Sequence, residues 1–214
     1  MAFYTSMFVN KAQCPDGYEG PRIAMIHGFL ERQHMQANLL RFAKEADFPD
    51  SSLYGYRFPV EKICDDLCVA ASAGRAIAVI GFSQGGFHAV KIANELNERG
   101  ITLPLMVVIG AGGLGRAMPM QWGADPRKIP ANVQRCINSF AIGDILGSDL
   151  STVSNLLRPL KSPQYSEDIY FQRSDCVSHL ALTTCYPEGN VNPSVKKYLL
   201  DRITLELNAL KYPL

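Results

Sequence analysis

The stretch Ala76-Ile77-Ala78-Val79-Ile80-Gly81-Phe82-Ser83-Gln84-Gly85-Gly86-Phe87-His88-Ala89 joins two patterns of different period. Residues 76–80 are continuously apolar, as suits a strand buried on both faces of a parallel sheet. Beyond Gly86, residues Ala89, Ile92, Ala93 and Leu96 share one face of a helix that Gly100 ends. Gly81 to Gly86 must therefore turn the chain from strand to helix over very few residues. So sharp a turn puts Ser83 in a strained backbone conformation, and side chains two residues to either side would collide with the neighbouring strand and helix. Glycines at 81 and 85 remove both collisions.

That geometry has a chemical use. It predicts an exposed Ser83 hydroxyl at the C-terminal edge of the sheet, at the N-terminus of a helix whose dipole favours developing negative charge. A serine that merely caps the helix is the other reading. The strand and helix on either side favour a nucleophile.

Outward from the turn, apolar runs alternate with amphipathic segments, the pattern of strands linked by helical crossovers. Strands are predicted over 23–26, 52–58, 103–109, 136–142 and 168–172. Helices are predicted over 36–46, 60–73 and, in short form, 149–157, with a last one carrying Val195, Leu199, Ile203, Leu207 and Leu210 at helical steps. Residues 114–132 are irregular, broken by Pro119, Pro126 and Pro130, and read as a lid-like excursion. Met118, Met120 and Trp122 lie there and offer apolar surface for an acyl chain, with ordinary core packing as the alternative. No repeat or linker splits the chain, so residues 1–214 are expected to form a single domain.

Composition narrows the partners. With 21 Lys+Arg against 20 Asp+Glu, the formal net charge is +1, so no global field draws in nucleic acid or an anionic membrane. A neutral or apolar small molecule fits better, and oligomeric state is left open. No apolar run reaches the ~18 residues that span a bilayer, and nothing marks the chain for export, so a cytoplasmic location is expected. Cys14, Cys64, Cys68, Cys136, Cys176 and Cys185 show no metal-binding spacing and read as free thiols, Cys64 and Cys68 on one helix face with a packing role. The glycines of 110–115 form neither a dinucleotide nor a phosphate loop, so no metal and no cofactor is expected.

Gly81-Phe82-Ser83-Gln84-Gly85-Gly86 matches G-x-S-x-G in the strand–turn–helix context this motif requires. On these residues the chain resembles the α/β-hydrolase family, and the hexapeptide resembles the turn of its esterases and acyl thioesterases. The likeness runs from about Arg22 to the C-terminus. It implies an α/β fold, a mostly parallel sheet of about six or seven strands flanked by helices. The N-terminal region is short enough for the usual first hairpin to be absent. It also implies an oxyanion hole from the Gln84 N–H and, because His27-Gly28-Phe29 resembles the family's His-Gly signature, from the Phe29 N–H, with His27 in support.

A neutral serine needs an imidazole to take its proton. The chain has His27, His34, His88 and His179, and the family's order places the base after the nucleophile. His88 lies on the nucleophile's own helix, pointing away, which leaves His179. The acid that orients it should follow a strand between the two. Asp144 fits best, in Asp144-Ile145-Leu146-Gly147, with Asp149 and then Asp125 as alternatives; Asp175 is too near His179 in sequence. The resemblance thus implies hydrolysis of carboxylic esters through an acyl-enzyme on Ser83, and the lid-like reading of residues 114–132 adds an acyl chain of short to medium length. An acyl thioesterase with the same three residues is the nearest alternative, and a non-catalytic binding protein on this fold the more distant one. Activity is expected to fall in acid as His179 becomes protonated.

Overall fold

The computed structural model describes residues 7–161 and 165–211. Its main sheet has seven strands in the order β1-β3-β2-β4-β5-β7-β9. These are β1 (Val9–Asn10), β2 (Arg22–His27), β3 (Ser51–Gly55), β4 (Ile77–Phe82), β5 (Leu103–Ile109), β7 (Val133–Ala141) and β9 (Tyr165–Phe171). Only β1 runs antiparallel to its neighbour; every other pairing is parallel. The usual first hairpin is expected to be absent; among the described residues the two-residue edge strand β1, antiparallel to β3, stands at this end of the sheet. Two further short strands, β6 (Lys128–Ile129) and β8 (Arg158–Pro159), pair outside the main sheet.

Successive residues of each strand feed opposite faces, so both faces need cover. Met25, Ile80, Val107 and Ile109 pack beneath α1 (residues 32–45, with a wide turn over Gln36–Leu40) and α4 (residues 193–209). Ala24, Val79, Met106 and Val108 face α2 (Val60–Ser72) and α3 (Gln84–Glu98). The residues that shared a helix face in the sequence, Ala89, Ile92, Ala93 and Leu96, are all buried.

Several boundaries move for identifiable reasons. The strand at 76–80 continues to Phe82, because Gly81 pairs with Ile26 and Phe82 with Ile109, so the chain stays extended up to Ser83. The strand expected over 52–58 stops at Gly55, where a turn closed by Phe58 N–H to the Gly55 carbonyl takes over. The helix expected over 149–157 is not one; only the single turn Val153–Asn155 forms. The Asn155 side chain instead donates to the Asp149 and Ser151 carbonyls and accepts from the Asp149 N–H. Such local side-chain bonds compete with helical ones.

The turn at Ser83 tolerates no side chain at position 85. A Cβ there would lie 2.1 Å from the Ile26 carbonyl oxygen, which is backbone and cannot yield. Gly85→Ala is expected to destabilise the protein by about 3 kcal/mol or more, visible as a lowered thermal midpoint or loss of soluble protein.

Candidate active site

The parallel order brings the loops after β2, β4, β5, β7 and β9 to one edge of the sheet. Ser83 stands between β4 and α3 with φ 56° and ψ −122°, a strained conformation for a residue with a side chain. Its N–H donates to the Ile109 carbonyl at 2.8 Å, which ties the turn to β5. Gly28, after β2, presses against this turn. A Cβ on it would meet Ser83 Cβ at 2.7 Å and Gln84 N at 3.0 Å, so its bare backbone lets the β2 loop lie against the serine.

His179 and Asp144 meet here from loops far apart in sequence. His179 Nδ1 lies 2.7 Å from Asp144 Oδ2, and both side chains are buried. The imidazole stacks on the Phe82 ring, 4.8 Å between centroids. Asp144 is held in turn: the Leu146 N–H donates to its Oδ1, while the Ser148 N–H and hydroxyl donate to its backbone carbonyl. This second layer fixes which way the carboxylate faces.

The alternative acids are engaged elsewhere. Asp149 takes a two-pronged contact from Arg116 and an N–H from Gly113, and although burial opposes it, Arg116 holds its carboxyl below the usual range. Asp125 pairs with Arg116 and Arg158, and Asp175 accepts from the Gln172 N–H. The other histidines have partners of their own. Buried His88 donates to the Phe58 carbonyl at 2.8 Å, and burial pulls it down to about 4. His34 contacts the Thr183 hydroxyl, and His27 Nδ1–H donates to the Gly28 carbonyl.

Three features depart from expectation. Ser83 is not exposed: only 9% of its surface is accessible. Part of its cover is Glu31, a residue the sequence did not single out, whose Oε1 lies 3.3 Å from His179 Nε2. No motif marks it; it follows Leu30, which adopts φ 59°. His179 Nε2 makes no hydrogen bond to Ser83 in this arrangement and faces Glu31 instead. Burial alone would lower the imidazole pKa, but Asp144 and Glu31 outweigh it and raise it to about 9.

The third departure concerns Met118, Met120 and Trp122. Their segment forms two short turns, Gly113–Ala117 and Pro119–Gln121, folded onto α3. Lys91 donates to the Met120 carbonyl and Gln121 donates to the Gln84 side chain at 2.9 Å. Met120 packs against the core, and Trp122 is 71% exposed. None of the three lines the cavity of about 720 Å³ beside Asp144, whose apolar walls are Leu114, Ile142, Ile145 and Leu150. Phe29, Leu30, Leu146 and Leu180 add exposed apolar surface on the loops of the same edge.

The arrangement sets a serine hydroxyl in a strained turn at a helix start, and at the same sheet edge an imidazole whose Nδ1 is engaged by a carboxylate. Among the described residues, no group of three or more His, Cys, Asp or Glu side chains is placed to hold a metal ion, and no helix is long and apolar enough to cross a membrane. No protein-family model matches the chain, and no curated protein matches it in sequence. Solved structures do share its architecture. An arylesterase superposes with a TM-score of 0.60 at 12% identity, covering 96% of this chain and 86% of its own. Alpha/beta hydrolase domain-containing protein 10 from mouse gives 0.53 at 14% identity, covering 95% and 93%. Human thioesterase 2 gives 0.51 at 11% identity, covering 89% and 97%. The fold is that of the α/β-hydrolases.

Proposed function

We propose that this α/β-hydrolase-fold protein is a serine hydrolase that cleaves carboxylic esters of short to medium acyl chains. The observation that carries this reading is the 2.7 Å contact between His179 Nδ1 and Asp144 Oδ2, beside a serine in a strained turn at a helix start. In the reaction, Asp144 holds the Nδ1–H tautomer, so that Nε2 is the acceptor. Nε2 takes the Ser83 proton as Oγ bonds to the ester carbonyl carbon. The oxyanion receives the N–H groups of Gln84 and Phe29, and each well-aimed donor is worth about 3 kcal/mol. Imidazolium then protonates the departing alcohol. Water, deprotonated by the same nitrogen, cleaves the acyl-enzyme and regenerates the Ser83 hydroxyl.

The exposed Phe29, Leu30, Leu146 and Leu180, and the apolar walls of the neighbouring cavity, favour an acyl substrate more than the segment around Trp122 does. That cavity is lined by Asp144 but by neither Ser83 nor His179. Thioester hydrolysis is the second reading, favoured by the likeness to human thioesterase 2. A panel of p-nitrophenyl esters and acyl thioesters of graded chain length separates the two. Esters of short to medium chains are expected to give the higher kcat/KM; thioesters turning over much faster than all oxyesters would replace this reading with the second. No turnover of either class would leave a binding protein.

A further inference from the structure

Glu31 is a charged group beside Ser83 and His179 that the reaction above does not use. The Nδ1 side of His179 is taken by Asp144, so Glu31, on the Nε2 side, is not the orienting acid. Its carboxylate lies where Ser83, His179 and the Gly28 backbone converge. A Cβ built on Gly28 would sit 2.2 Å from Glu31 Oε2 and 2.7 Å from Ser83 Cβ, which places the two side chains on the same small patch of backbone. Burial pushes the Glu31 carboxyl above its ordinary range, and His179, Ser83 and the Gly28 amide, which favour the charged form, offset this only in part. Any carbonyl that Ser83 attacks must occupy this space, within about 3 Å of the nucleophile and in view of Nε2.

Among the described residues, no Lys or Arg side chain pairs with this carboxylate. Arg32, the next residue, turns its guanidinium onto the Phe8 ring, 3.7 Å from the centroid. Among the described residues, Asp144 and His34 also act on or are acted on by His179, and neither brings a fixed positive charge. The residue that carries the carboxylate inward follows Leu30, whose φ of 59° is unusual for a leucine and whose side chain is exposed. The Glu31 carboxylate thus lies in the space beside Ser83 and His179 Nε2.

We infer that Glu31 is a resident carboxylate in the reaction pocket which the substrate must displace, and that it selects against acyl groups bearing a negative charge near the scissile carbonyl. The inference rests on Ser83 being the nucleophile. Binding energy from the acyl chain is used to displace Glu31, so ligands that fill only the reacting centre are disfavoured. Once displaced, the carboxylate remains beside the pocket and repels an anionic acyl group at short range.

The test compares the wild type, Glu31→Ala, Glu31→Gln and Ser83→Ala with a fluorophosphonate probe, and the first three with two esters, neutral p-nitrophenyl butyrate and anionic p-nitrophenyl hemisuccinate. Both Glu31 variants are expected to be labelled faster than the wild type, by about tenfold in Glu31→Ala, and to raise the kcat/KM of hemisuccinate relative to butyrate by about tenfold. A merely structural role would slow labelling and leave that ratio unchanged. Glu31→Gln keeps the side-chain shape, and a thermal melt establishes that it is folded. Labelling of folded Glu31→Gln no faster than the wild type, or an unchanged ratio, overturns the inference while leaving Ser83 in place. Labelling absent from every protein, or retained in Ser83→Ala, overturns the nucleophile itself and this inference with it.

Discussion

Replacing Ser83 by alanine is expected to lower kcat/KM for p-nitrophenyl butyrate by about 10⁴-fold or more, and to abolish fluorophosphonate labelling. The size follows from covalent catalysis: without Oγ no acyl-enzyme forms, and what remains is the modest help that oriented N–H groups and binding give to attack by water. The loss should come without loss of the fold. Alanine keeps the Cβ that the φ 56° turn already accommodates, so the strain at this position is nearly unchanged. A thermal midpoint within a few degrees of the wild type is the control. A folded Ser83→Ala protein that kept a tenth of the activity would remove Ser83 from the reaction.

Asp144→Asn is expected to cost about 10⁴-fold in kcat, with its signature in the pH profile. An asparagine can turn its amide toward His179 Nδ1 and favour the tautomer whose proton sits on Nε2, where an acceptor is needed. The carboxylate also sets the imidazole's protonation. Burial lowers the His179 pKa, but Asp144 and Glu31 together raise it to about 9. Only neutral imidazole accepts the serine proton, so kcat/KM should climb with pH and level off near 9, not in the ordinary histidine range. Asp144→Asn removes one of the two raising charges and should move that limb toward acid.

The linked effect on stability has the opposite sign. A pKa raised on folding adds stability that is fully present below the unfolded value of about 6.5 and is lost as pH rises through about 9. Asp149→Asn serves as the comparison, since it loosens the Arg116 contact and leaves His179 untouched. A limb that stayed in place in Asp144→Asn, or an equal loss in Asp149→Asn, would remove Asp144 from the role proposed for it.

How much of this was legible in advance differs by residue. The strand, turn and helix around Ser83 could be read because each rests on neighbours in sequence: an apolar run, two glycines and a helical face. Asp144 stood first among several acids, but its separation from Asp149 depended on where Arg116 and Asn155 would place their side chains. The helix expected over 149–157 failed for the same reason, since buried Asn155 turns its hydrogen bonds onto the local backbone. The segment with Met118 and Trp122 suggested a lid, whereas bonds to Lys91 and Gln84 fold it onto α3.

The sequence by itself determined the layered α/β plan and the strained serine at the sheet edge, because hydrophobic period and glycine placement are local properties of a chain, whereas His179 is reached only through the residue order of the family that the chain resembles. Only the tertiary structure decided which carboxylate meets His179 Nδ1, which apolar side chains line the cavity beside Asp144, and that Glu31 lies beside the serine. Those contacts join loops distant in sequence, such as 31 with 179 and 144 with 179. They are set by parallel strand order and the packing of side chains at one edge, and no periodicity in a single chain encodes them.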